Sequence, residues 1–338
     1  STVPQFLIIN DTHTKPPPGV DQNLTIFIGI VTIYEKIEIR ECLRKLYTHN
    51  NVALARYLGV KESPVTIRFI MGLAKDEYKD KLEEESKMYG DIVILNITEN
   101  MNEGKTFEYF NWFAKHRKDN YMVKTDDDSF IHLIHYYRDL QDLPRKRAYY
   151  GGVYGGNNRD DNSAYSYIGG AGYTLSHDLV IDIVGSNWVN SNVIGTEDMQ
   201  VGKWICHVAK KKKYFVHYVG YSKWIPIRQN PIQDFDENLD LNEIILIHQL
   251  KGIEKCNAIK NAYTKYEEGL PMMKVIRNST AKSLVTKREI IPKCWKKKQI
   301  WNQTLQNTYK NWFYEAWGFK EGKWYEYYGP VDDIRPTG

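Results

Sequence analysis

The segment from Leu24 to Ile33, LTIFIGIVTI, constrains this chain more than any other. It is a continuous apolar, β-branched run without the polar alternation of a strand that faces water, and such a run fills a strand buried on both faces of a sheet. A strand of that kind needs helices above and below it. The stretch from Lys36 to Tyr47 has helical character, and the pattern repeats with Val65 to Met71 (VTIRFIM), the charged, glycine-free Lys75 to Met88, and Ile92 to Leu95. A further helix over Thr106 to His116 leads to a strand over Tyr121 to Lys124. This alternation predicts an α/β fold with a doubly wound, Rossmann-like sheet, which places ligands beyond the carboxyl ends of its strands.

Three regions follow from the punctuation. Residues 1–22 contain Lys15-Pro16-Pro17-Pro18-Gly19, stiff and extended, and read as a stem or linker. Residues 23–255 form the main domain. Within it glycines crowd together at Gly151-Gly152, Gly155-Gly156 and Gly169-Gly170-Ala171-Gly172, which suits either turns or close backbone approach to a ligand. Residues 256–338 turn Lys-rich and then Trp/Tyr-rich, and read as a C-terminal aromatic-rich extension packed on the main domain.

Composition excludes some classes of partner. The chain has 46 Lys+Arg against 42 Asp+Glu, a net charge of +4, which is too small to argue for nucleic acid. Tyr, Trp and Phe together make up 13%, an excess that suits surfaces half apolar and half wet, carbohydrate sites among them. Four cysteines, Cys42, Cys206, Cys256 and Cys294, lack a CxxC spacing, which disfavours zinc and leaves three disulfide pairings open. Sequons at Asn10, Asn23, Asn96, Asn278 and Asn302 point to a secretory lumen. No apolar stretch of about 18 residues is present, so a lumenal protein of this sequence would draw its targeting or anchoring segment from outside it.

The chemistry concentrates in two acidic clusters. Asp126-Asp127-Asp128 directly follows the predicted strand, so three like charges sit at a strand's carboxyl end, where a divalent cation is the natural compensation. Asp126 and Asp128, two apart, share one face of an extended chain, and their hard oxygens suit Mn²⁺ or Mg²⁺. Glu197-Asp198 opens a predicted amphipathic helix, where a carboxylate can cap the helix or accept a proton.

Six motifs in order then carry a resemblance: Ile39 to Arg44 (IRECLR), Tyr89-Gly90-Asp91-Ile92, Gly104-Lys105-Thr106, Lys124 to Asp128 (KTDDD), Tyr167 to Ser176 (YIGGAGYTLS) and Glu197 to Gly202 (EDMQVG). The chain resembles the galactosyltransferase-type β-1,3-glycosyltransferases, glycosyltransferase family 31, over roughly residues 24 to 250. The resemblance implies a GT-A fold with a single nucleotide-sugar-binding domain and transfer from a UDP-sugar, with inversion, to a glycan or glycoprotein acceptor. Galactose is the first expectation for the sugar and N-acetylglucosamine the second. It implies metal ligands at Asp126, Asp128 and His248, with His217 as the rival histidine. Arg40, Arg44, Lys105, Asp126, Asp127 and Gly170 are expected around the donor, and Asp198, with Glu197 second, as the base. Trp188, Trp204 and Tyr173 are candidates for stacking on a sugar ring. A Golgi-lumenal protein anchored by a single N-terminal segment is the expected setting. One departure is visible: Arg44 is followed by Lys45-Leu46-Tyr47 where the family usually carries a tryptophan.

Two readings from other classes compete. An inactive, lectin-like relative would bind carbohydrate without consuming UDP-sugar, but it has no need of the intact acidic motifs. A metal-dependent nucleotidyltransferase or phosphohydrolase would use clustered aspartates, but its phosphate-cradling Gly-rich loop with Lys-Ser/Thr is missing from the sequence.

Overall fold

A computed structural model of the chain describes residues 21, 23–157, 164–214, 216–220, 224–226 and 244–269. The stem and most of the C-terminal extension, with the sequons at Asn10, Asn278 and Asn302, lie outside the described residues.

The expected alternation is observed. Strands β1 (Ile26–Val31), β2 (Val65–Leu73), β3 (Ile92–Thr98) and β4 (Tyr121–Asp126) alternate with helices α1 (Ile37–Leu58), α2 (Asp76–Tyr89) and α3 (Lys105–His116). The four strands run parallel in the order β3-β2-β1-β4. Each helix ends where the chain demands it: Gly59 and Gly90 close α1 and α2 in the left-handed conformation at φ 66° and 62°. The sheet core is packed so closely that a Cβ on Gly29 of β1 would lie 2.3 Å from the Tyr109 hydroxyl, which donates to the Val123 carbonyl.

Beyond β4 the sheet changes direction. After β5 (Ser129–Ile131) and α4 (Leu133–Gln141), the glycine-rich stretch forms two long strands, β6 (Ala148–Asn157) and β7 (Ala164–Ser176). β7 runs antiparallel to β4, and β6 antiparallel to β7. α5 (His177–Val184), α6 (Asn187–Asn190) and α7 (Glu197–Lys212) follow, and β8 (His217–Gly220) completes a seven-stranded sheet, β3-β2-β1-β4-β7-β6-β8. β9 (Trp224–Pro226) and β10 (Leu246–His248) join β5 in a small second sheet, and α8 (Ile253–Gly269) closes the described chain.

Two apolar cores flank the main sheet. One packs Ile26, Ile28 and Ile30 against α1, α4 and α8; the other packs Phe27, Met122 and Tyr173 against α3, α5 and α7. The division drawn at Cys256 falls inside α8, and Cys256, Ile259 and Tyr263 belong to the first core. A disulfide joins Cys42 of α1 to Cys256 of α8, which settles one of the open pairings, and Cys206 is disulfide-bonded as well. No helix among the described residues is long and apolar enough to cross a membrane.

Candidate active site

The crossover from β1 runs to β2 on one side, and the chain returns from β3 to β4 on the other, so the switch point of the sheet lies beyond β1 and β4. The register sets Val31 beside Asp126 there. All three aspartates therefore emerge where a doubly wound sheet binds its ligand.

They divide between two faces, as the period of an extended chain requires. Asp127 turns toward α1: its carboxylate accepts the Thr32 hydroxyl and the Lys36 ammonium, each at 2.7 Å. Asp126 turns toward α7, with its side chain about a third exposed (36%) and 2.8 Å from the Lys124 ammonium. Asp128 lies beside β10, whose pairing with β5 brings His248 opposite Ser129. His248 Nε2 stands 3.3 Å from Asp128 Oδ1. Burial alone would raise the Asp128 carboxyl, but His248, with Lys251 and Lys36 farther off, holds it below its ordinary value. His217, the rival, sits in β8 beside Ala148.

The second acidic pair comes to the same place through β7. The Lys124 ammonium, in the strand before Asp126, contacts Glu197 Oε2 at 3.1 Å and donates to the Gly170 carbonyl at 2.8 Å. The Gly170 N–H donates to Asp198 Oδ2 at 3.2 Å. Glu197 Oε1 accepts the Tyr173 hydroxyl at 2.5 Å. Burial pushes the Glu197 carboxyl up, Lys124 opposes this and Asp126 adds to it; the outcome is a rise from its ordinary value. Burial acts to lower Lys124, but the charges of Asp126 and Glu197 outweigh it and hold the ammonium above its ordinary value. A Cβ at Gly170 would lie 3.0 Å from Glu197 Oε2 and 3.3 Å from Lys124 Nζ, so a side chain there would press on both.

The three cations expected around the donor are each paired within the chain. Arg40 is 1% exposed and forms a two-bond ion pair with Glu85 of α2, at 2.9 and 2.7 Å, while donating to the carbonyls of Ile33 and Tyr34. Arg44 pairs with Asp91 at 2.8 and 2.9 Å and with Glu85 at 2.7 Å, its guanidinium 3.9 Å from the Tyr89 ring centre. Lys105 is buried, bonded to Glu99 at 2.5 Å and to the Thr32 carbonyl at 2.8 Å, and Glu99 also accepts the Gly72 N–H. Burial drags the Lys105 ammonium down, with Glu99 opposing. Arg40 and Lys105 fasten the segments that follow β1 and β3, and Arg44 ties α1 to α2 and to the entry of β3. Of the stacking candidates, Trp204 is core, edge-on to Phe107 and Phe110; Tyr173 is buried against Glu197; and Trp188 stacks on His207 at 4.1 Å.

Among the described residues no three His, Cys, Asp or Glu side chains form a ready metal cluster. Asp128 and His248 form a facing pair, and Asp126 is held apart by Lys124. Oxygen from carboxylates together with imidazole nitrogen is a donor set that suits Mn²⁺.

A Rossmann-like mixed sheet with carboxylates at its switch point, and a second acidic pair facing them across a glycine-rich strand, is an arrangement suited to a glycosyltransferase, and the family comparison gives that class. The family profile described as Galactosyltransferase matches residues 38–213, more than half of the chain, and the chain belongs to that family. It is 23% identical over 303 residues to the β-1,3-galactosyltransferase pvg3 of Schizosaccharomyces pombe, covering 73% of this chain and 77% of that one. It is 26% identical over 151 residues to a UDP-GalNAc:β-1,3-N-acetylgalactosaminyltransferase 2 of Danio rerio, covering 39% of this chain and only 30% of that protein. Among solved structures, the glycosyltransferase GlyE of Streptococcus pneumoniae aligns at 10% identity with a TM-score of 0.36, over 75% of this chain and 67% of that one.

Proposed function

We propose that this glycosyltransferase is metal-dependent and inverting, and moves a hexose, galactose first, from a UDP-sugar to a glycan hydroxyl in β-1,3 linkage. The observation that carries the reading is that one residue joins the two acidic motifs. The Gly170 N–H bonds Asp198, while the Gly170 carbonyl bonds Lys124, which in turn holds Asp126.

Asp126, Asp128 and His248 are the residues that would hold Mn²⁺ or Mg²⁺, and when bound the ion supplies Lewis-acid neutralisation of the charge that develops on departing UDP. Asp198 is assigned as the base. Its carboxylate accepts N–H bonds from Gly170 and, at 2.7 Å, from Met199 at the start of α7, which fix its place beside the glycine-rich strand. It removes the proton from the acceptor hydroxyl as that oxygen bonds the anomeric carbon on the face opposite the diphosphate. Asp127, fixed by Thr32 and Lys36, stays at the donor side. Arg40 and Lys105 act on the donor indirectly, by fixing the segments after β1 and β3 that receive it, and Arg44 holds α1 in place beside them.

The Golgi lumen, with an N-terminal membrane anchor preceding this sequence, is the proposed setting. The Cys42–Cys256 disulfide and the exposed sequon residues Asn23 and Asn96 support an oxidising, glycosylating compartment. The test is a panel of UDP-galactose, UDP-N-acetylglucosamine and UDP-N-acetylgalactosamine with simple glycan acceptors, followed by linkage analysis. Transfer from UDP-galactose into a β-1,3 product is expected; sugar binding without UDP release from any donor would replace this reading with the inactive, carbohydrate-binding one.

A further inference from the structure

Lys124 is a lysine in the middle of a strand buried on both faces, and it is 3% exposed. Nothing in the reaction proposed above requires an ammonium there. Its surroundings are specific. The register places Lys124 between Gly29 of β1 and Tyr173 of β7, so its side chain and the Tyr173 ring share the face covered by α7. The ammonium has three N–H groups and three oxygen partners, Asp126 at 2.8 Å, the Gly170 carbonyl at 2.8 Å and Glu197 at 3.1 Å, and it lies 5.8 Å from the Tyr173 ring centre. With its donors all engaged, it is not placed as a nucleophile.

Glu197 is the other half of this arrangement. One of its oxygens takes the Tyr173 hydroxyl and the other takes Lys124, and only 10% of the side chain is exposed. Lodged between the Tyr173 hydroxyl and the Lys124 ammonium, this carboxylate is well disposed to anchor the first turn of α7. Asp198 is the next residue, so whatever fixes Glu197 also sets where Asp198 points.

We infer that Lys124 and Glu197 form a buried clamp that holds the Asp126-bearing tip of β4 against the Asp198-bearing start of α7, and that both are positioning residues. The inference rests on the transferase reading for its kinetic consequence and on geometry alone for its structural one. The clamp spans the seam where the sheet turns from parallel to antiparallel, so it joins the part of the site built by the βα units to the part built by β7 and α7. Gly170 completes it, since any larger residue would press on both partners.

The test compares Lys124→Met, Glu197→Gln and the double variant with Asp198→Asn, by thermal midpoint, by kcat and KM for the UDP-sugar, and by amide hydrogen exchange across residues 169–172 and 197–201. Lys124→Met leaves two carboxylates without their cation and loses both stability and turnover. The double variant, Lys124→Met with Glu197→Gln, removes the more deeply buried of the two stranded charges, leaves Asp126 with its side chain about a third exposed, and regains most of the midpoint. Its kcat stays at least about thirtyfold down, its donor KM moves by less than about threefold, and exchange quickens in both segments. Recovery of turnover together with stability would reduce Lys124 to charge balance and overturn the clamp. So would Glu197→Gln proving as inactive as Asp198→Asn with exchange unchanged, which would make Glu197 the base. If Lys124→Met does not fold, Glu197→Gln alone decides by its exchange. Should the wild-type protein transfer no sugar, the transferase reading fails while the exchange comparison still reads the clamp.

Discussion

Arg40 offers a sharp contest between what its motif implies and what its surroundings require. Replacing it with methionine keeps the volume and removes the charge. The structure then leaves Glu85, 5% exposed, without two charged hydrogen bonds, and leaves the Ile33 and Tyr34 carbonyls without their donor. Breaking a buried ion pair from one side costs about 3 to 5 kcal/mol, and the Arg44 guanidinium still 2.7 Å from Glu85 places this case near the lower figure. About 3 kcal/mol corresponds to a fall of about 6 to 12 °C in the thermal midpoint of a domain of this size class. The same cluster predicts a pH dependence. Burial acts to raise the Glu85 carboxyl, but Arg40 and Arg44 prevail and hold it below its ordinary 4.5. The folded protein thus binds this proton less readily than the unfolded chain. The cluster's contribution is complete above about pH 4.5 and fades as the pH falls through the lower folded value. Denaturant melts of wild type and Arg40→Met from pH 7 downward should therefore converge in acid, and donor KM, measured well below the melting temperature, should change by less than about threefold. An unchanged midpoint with a donor KM raised tenfold or more would place the guanidinium on the nucleotide and refute the anchoring role.

Asp198→Asn should lower kcat at least about a hundredfold while leaving the thermal midpoint within 1 to 2 °C, as for the loss of a positioned base; turnover near wild type would move the base elsewhere. Removing divalent metal with a chelator should abolish UDP release, and His248→Ala should raise the Mn²⁺ concentration needed for half-maximal rate; full activity in chelator would remove the metal from the mechanism. Asn96 lies exposed in β3, the outer strand of the sheet, and makes no side-chain hydrogen bond among the described residues. Protein secreted from a glycosylating host should lose one glycan's mass on Asn96→Gln, and an unchanged mass would show that the sequon is not used.

The parallel half of the fold was legible because each unit is local. Buried apolar runs became β1 to β4 with boundaries displaced by a few residues, and the intervening segments became α1 to α3. The glycine-rich half was not, since Gly151 to Gly156 and Gly169 to Gly172 have the composition of turns yet lie in strands β6 and β7, where pairing with β4 and Trp204-side packing override local preference. Asp126, Asp128, His248, Asp198 and Gly170 were singled out from motif and resemblance, and in the structure they lie around one strand tip, which is a matter of place and not of role. Lys124 was passed over because a lysine in a strand reads as solvated, and only the folded register shows two carboxylates waiting for it. The ion pairs of Arg40, Arg44 and Lys105 were hidden for the converse reason: their partners Glu85, Asp91 and Glu99 sit in other elements, and sequence alone cannot see which charges are already matched.

The bond between Cys42 and Cys256 spans 214 residues, tying the first helix of the domain to the last described one. A ribosome delivers α1 long before α8, so the early βα units must hold together by packing until nearly the whole domain has emerged. Only then can the thiols meet, and only where an oxidant is at hand. Closing this bond is therefore a late chemical step in building the domain. Synthesis halted before residue 256, or carried out in a reducing cytosol, would yield a sheet whose first helix was never stapled down.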